Sequence, residues 1–161
     1  MTCIDVFGEG VRFPCRGIAR KSIQKIASDA AGLIPLENTH VTLVIARDEY
    51  IRNMNKKFRG LDEPTDVLSF AGGDAPFPSA GDIHGKSGEI YVSLDRTSKQ
   101  ADEYGVSLAR ELARLIVHGM LHLAGFDHEG SRRERVRMER KEEEILSKLI
   151  TPPGPCPESP S

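Results

Sequence analysis

The segment HGMLHLAGFDHEG, residues 118 to 130, constrains the fold more than any other stretch. It holds His118, His122 and His128, three of the five histidines in a chain of 161 residues. Residues four apart share a helical face, one turn above the other, so His118 and His122 direct their rings to one point. Gly125 follows, and glycine readily takes the left-handed backbone that ends a helix. The spacing predicts a helix that stops at Gly125 and a bend that returns His128 to the same point.

Neutral imidazole is a common zinc ligand, binding at about 2.0–2.1 Å. Three protein donors leave one tetrahedral position open, the mark of a catalytic site rather than a structural one. No cysteine lies near to close it. A water in that position is acidified to a pKa of about 7. His118, His122, Gly125 and His128 also match the metzincin protease pattern H-E-x-x-H-x-x-G-x-x-H, save that Gly119 stands where the catalytic Glu belongs. Peptide hydrolysis by that mechanism lacks its base. Other carboxylates come into question: Glu111, two turns down the helix and read as a surface or outer group; Asp127, beside His128; and Asp66 and Glu89. The sequence does not choose among them.

Periodicity and breakers organise the rest. Residues 3–7 read as a strand, and 16–31 as a helix stopped by Gly32. The run THVTLVIA (39–46) reads as a buried strand. Asp48 caps a helix carrying Ile51, Met54 and Phe58 and ending at Gly60. After the turn LDEPT, DVLSFA is a strand. Residues 72–88 are dense in Gly and Pro and read as a loop. EIYVSL (89–94) is a strand, Asp95 caps a helix to about Tyr104, and a longer helix runs from Ser107 to about Ala124. Ser131 and Glu134 form a capping-box pattern for a last helix over 131–150. Its segment RRERVRMERK mixes Arg with Glu and predicts i,i+4 pairs on a solvated face. The proline-rich 151–161 reads as a disordered tail. The expected organisation is one α+β domain over 1–150.

Composition narrows the class. No run reaches the roughly 18 apolar residues of a membrane helix, and the N-terminus does not read as a secretory signal. Cys3, Cys15 and Cys156 are scattered and odd in number, so no disulfide framework is expected and a reducing, cytoplasmic setting is. Net charge is −2, but the first 60 residues carry ten Lys or Arg against six acids. A basic face toward an anionic partner fits that bias, as does ordinary helix surface.

Together, HGMLHLAGFDH and NKKFRGLDEPTDVLSF (55–70) resemble the two signatures of the YbeY family, the second following N-x-x-x-R-G-x-D-x-P-T-D-V-L-S-F. GEIYVSL resembles its G-D-I-x-I-S segment, with Glu89 where Asp is usual. The resemblance spans about residues 40 to 150. It implies a zincin-like fold, a small mixed sheet of about four strands packed with about five helices, the metal at the end of one helix. It implies a single-strand-specific endoribonuclease acting on ribosomal RNA, notably at the 3′ end of the small-subunit RNA, and in ribosome quality control. His118, His122 and His128 correspond to the metal ligands and Arg59 to the functional arginine.

A guanidinium stays charged and offers a planar fork of donors to phosphate oxygens, which suits Arg59 to the scissile phosphate. Lys56, Lys57 and Arg52 can track the RNA backbone. Zinc is the expected ion by donor type, though imidazole also suits copper, nickel and iron. RNA, the small subunit or its proteins are the implied partners. A metal-stabilised assembly factor that binds RNA without cutting it is the alternative, since no general base stands out.

Overall fold

The structure, a computed structural model, describes residues 2–36, 39–72, 86–126 and 130–150. Its elements run β1 (Cys3–Glu9), α1 (Arg20–Ala31), β2 (Thr39–Ala46), α2 (Asp48–Arg59), β3 (Val67–Ala71), β4 (Lys86–Ser93), α3 (Leu94–Tyr104), α4 (Leu108–Leu123) and α5 (Arg132–Ile150). The four strands form one sheet in the order β1-β2-β4-β3. β1, β2 and β4 are parallel, and β3 lies antiparallel on the edge. This is the α+β architecture expected, with a mixed sheet of four strands and five helices among the described residues.

Strand side chains alternate between the two faces, and each face has its own cover. Ile4 and Val6, Val41, Leu43 and Ile45, and Ile90 and Val92 point to the face packed by α1 and α4, with α5 packed in turn on those two helices. Val44, Ala46, Leu68, Phe70 and Tyr91 point to the other, where Ile51 and Met54 of α2 cover them. On α4, Leu112, Leu115, Ile116, Met120 and Leu121 are fully buried against the first face. Each contributes about 1.5–3 kcal/mol by leaving water. That burial makes α4 the central helix and presses it onto β3 and β4.

Several boundaries differ from the sequence reading. The first helix begins at Arg20 rather than 16, because Cys15 and Ile18 exchange backbone hydrogen bonds across a tight turn with Arg16 and Gly17 at positive φ. Arg47, not Asp48, precedes α2, and Asp48 sits in its first turn. β4 starts at Lys86, inside the stretch read as loop, because residues 86–88 pair with β2 in register. The cap of α3 is Ser93, whose hydroxyl accepts from Arg96 N–H, while Asp95 lies within the first turn. The capping box of α5 forms as read: Ser131 Oγ accepts from Glu134 N–H, and Glu134 returns to Ser131 N–H. Among the described residues the expected Arg–Glu pairs along α5 do not appear. Among the described residues its ion pairs along the helix are Lys141–Glu144 and Lys148–Glu144. The tail 151–161 lies outside the described residues.

Candidate functional site

The C-terminal end of α4 carries the histidines. Ser107 caps its start, accepting from Arg110 N–H. Its end is a Schellman turn: Phe126 N–H donates to Leu121 O and Gly125 N–H to His122 O, with Gly125 at φ 99°. The left-handed glycine is the one the spacing required. His118 and His122 stand one turn apart, ring centroids 4.8 Å from each other and planes at 71°. Two imidazoles bound to one ion at tetrahedral geometry hold their centroids about 5 Å apart, given nitrogen–metal bonds near 2.0–2.1 Å. The pair therefore fits a shared metal. His128 and Asp127 lie outside the described residues, and among those described no three His, Cys, Asp or Glu side chains converge on one point.

His118 is backed from behind. Glu142 of α5 places Oε1 2.9 Å from its Nδ1. A carboxylate only accepts, so the bond calls for Nδ1–H as donor and leaves Nε2 the nitrogen that a metal would engage. The donor set suits zinc or a similar divalent ion.

Gly119 follows His118 and faces the sheet. A Cβ there would lie 2.8 Å from Ile90 Cγ2 and 3.1 Å from Ser69 Oγ. Any side chain at this position must push the Ile90 and Ser69 side chains aside, which matches the glycine standing where the metzincin pattern has Glu.

The second motif arrives at the same place. Arg59 is the last residue of α2, and Gly60 turns the chain at φ 72°. Buried Asn55 pins the following turn by donating to Glu63 O at 2.9 Å. Arg59 Nη2 donates to Ser69 O at 2.8 Å, and its guanidinium lies 5.2 Å from the Phe70 ring centroid. One carbonyl and one aromatic face thus orient the fork while the side chain stays exposed. Arg59, Asp66, Ser69, His118 and His122 line one cleft of about 520 Å³. Convergence of the two motifs on one cleft is what the sequence could not place.

The other candidates separate. Asp66 lines the cleft, its Oδ2 accepting from Gln100 at 3.2 Å and its Oδ1 from the Thr65 hydroxyl at 3.4 Å. Glu111 is not a surface group. It is buried, and its carboxylate grips Arg114 three residues on, pushing that guanidinium further above its usual range. Glu89 points to the opposite face of the sheet from α4, buried and accepting from the Tyr91 hydroxyl at 2.6 Å. It cannot serve the histidines. Burial and Glu89 together drive the Tyr91 hydroxyl far above the usual range. Lys56 and Lys57 sit in the last turn of α2, exposed, and do not line the cleft; Lys57 Nζ lies 5.3 Å from the Phe58 ring centroid. Arg52 is engaged by Asp62 at 2.9 Å. Sequence reasoning missed Glu142, Arg114 and Ser69. Only the Glu111–Arg114 spacing of three carried a local signal.

The model of the family described as Endoribonuclease YbeY matches residues 16–150. The chain is 48% identical over 113 residues to the Endoribonuclease YbeY of Pelotomaculum thermopropionicum, covering 70% of this chain and 74% of that one. It is 38% identical over 141 residues to that of Aquifex aeolicus, covering 86% and 89%. The solution structure of the Thermotoga maritima protein TM1509 superposes with a TM-score of 0.57 at 28% identity, covering 92% of this chain and 89% of that one.

Proposed function

The chain belongs to the endoribonuclease YbeY family, and from that premise we propose how its cleft works. The protein is a metal-dependent endoribonuclease of ribosomal RNA maturation. Its substrate is single-stranded RNA, its main task the 3′ end of the small-subunit RNA together with ribosome quality control, and its setting the cytoplasm. No described helix is long and apolar enough to cross a membrane.

His118, His122 and His128 hold one divalent ion, zinc by donor chemistry. When bound, the ion supplies Lewis acidity to the reacting phosphoryl group. Arg59 binds the scissile phosphate: Ser69 O and the Phe70 ring fix the guanidinium, and its remaining N–H groups meet the charge that grows on phosphate oxygens. Asp66, on the cleft wall, is the first candidate to accept a proton, with Asp127 the second. Lys56 and Lys57, outside the cleft, hold the strand by its backbone as it approaches. Residues 1–150 form the working domain.

The supporting observation is that Arg59 and the His118–His122 pair line the same cleft. The test is cleavage of single-stranded and duplex RNA by purified protein, with and without chelator. Cutting confined to single strands, lost on chelation and lost in His118→Ala, is the expected result. Cleavage that survives full metal removal overturns it. The ends of the products separate attack by water from attack by the RNA's own 2′-hydroxyl, since only the latter yields a cyclic phosphate.

A further inference from the structure

Behind the histidines lies a chain of charged side chains that RNA cleavage as described does not use. Glu142 is 24 residues from His118 in sequence and on another helix, and its side chain retains 13% of its exposure. One oxygen lies 2.9 Å from His118 Nδ1. The other lies 3.7 Å from Arg114 Nη1. Arg114 is in turn clamped by buried Glu111 through Nε, at 3.1 and 3.2 Å to the two carboxylate oxygens. Its Nη2 also reaches Gln100 Oε1 at 3.4 Å, and Gln100 donates to Asp66 on the cleft wall. Two carboxylates bracket one guanidinium, so neither lies in the interior uncompensated.

We propose that Glu142 is the positioning residue of the metal centre, holding His118 as the tautomer that ligates through Nε2, with Arg114 and Glu111 as its anchor. The proposal rests on the reading of His118 as a metal ligand. Its physical basis is threefold. The bond to Glu142 sets which ring nitrogen carries the proton. It stops ring rotation, so the donor is in place before an ion arrives. Its negative charge raises the basicity of the ligating nitrogen. Arg114 keeps Glu142 from swinging toward the ion and becoming a ligand itself. Removal of such a partner typically lowers metal affinity by about 10–100-fold.

The test uses the full chain and two readouts. Nitrogen-15 NMR of the histidine rings in metal-free protein reports the tautomer directly, independent of activity. Zinc affinity is read by competition with a chromophoric chelator. In the wild type His118 is expected to be protonated at Nδ1. Glu142→Ala is expected to mix the tautomers and to weaken zinc binding by about 10–100-fold. Glu142→Gln keeps an acceptor without the charge, so it should restore the tautomer and only part of the affinity. A purely structural role for Glu142 moves neither the tautomer nor the Gln–Ala difference. A wild-type His118 protonated at Nε2, or zinc affinity unchanged in Glu142→Ala, overturns the proposal. Failure of the enzyme reading looks different: the tautomer is as expected and zinc binds, but no RNA is cut.

Discussion

The hydroxyl of Ser69 donates to the carbonyl of Gly119 across 3.2 Å, joining the edge strand to the helix that carries the histidines. The carbonyl of the same serine accepts from Arg59. A single residue of β3 therefore bonds both to the arginine and to the helix that carries His118 and His122. The contact is possible only because position 119 lacks a side chain, since a Cβ would meet Ile90 and Ser69 at 2.8 and 3.1 Å.

Gly119→Ala should lower stability by up to about 2 kcal/mol, read by urea denaturation. Alanine gains about 1 kcal/mol of helix propensity over glycine. Overpacking against a stiff, fully buried β-branched Ile90 costs about 1–3 kcal/mol and separates α4 from β3. Equal or greater stability in the variant would show that the interface is looser than the contacts indicate.

Arg59→Lys should reduce kcat/KM on single-stranded RNA by about 10²–10³-fold with the melting temperature unchanged. Lysine keeps the charge but loses the planar fork that Ser69 O and Phe70 orient, and loss of one such donor to transition-state charge costs that much. A variant as active as the wild type would leave Arg59 a surface residue.

Metal removal should act on stability as well as on activity. Chelation should abolish cleavage, and zinc in slight excess should restore it. A ligand present at about 1,000 times its Kd stabilises by about 4 kcal/mol, so the melting temperature should fall on chelation. His122→Ala should melt at one temperature with or without chelator. A chelator-sensitive melting temperature in that variant places the ion elsewhere.

Acid sensitivity should appear at Asp95. Its carboxylate accepts from Arg47 and from Asp48 N–H, and the hydrogen bond from Arg47, the larger cause, holds it below the usual carboxylate range. A carboxyl with a depressed folded pKa contributes stability that is complete above its unfolded value and lost as pH falls through its folded value. The pair is solvent-exposed on the Arg47 side, which limits the contribution to about 1 kcal/mol or less. Urea denaturation should find Asp95→Asn less stable than the wild type at pH 7, with the gap closing as pH falls through the acid range. A gap that persists at the lower pH assigns the effect to packing.

Much of the fold was legible because its signals are local. Helix α4 was placed to within a residue at each end, since Ser107, the apolar period and Gly125 all act over one or two turns. The capping box of α5 was read for the same reason. The start of β4 was missed because Gly88 and its neighbours look like loop in isolation, and only pairing with β2 makes them strand. Nothing local reveals that Cys15 and Ile18 close a turn, so the helical pattern in the sequence starts before the helix does.

The site divides along the same line. Two imidazoles on one face, the glycine that ends their helix and the arginine at the end of another are written in local spacing, because helical period and turn chemistry are properties of neighbouring residues. Packing between distant segments brings Arg59 into one cleft with His118 and His122, sets Glu142 behind His118, turns Glu89 away and crowds position 119. Those outcomes depend on strand order and on which helix covers which face. Long-range packing settles them, and spacing along the chain does not record it.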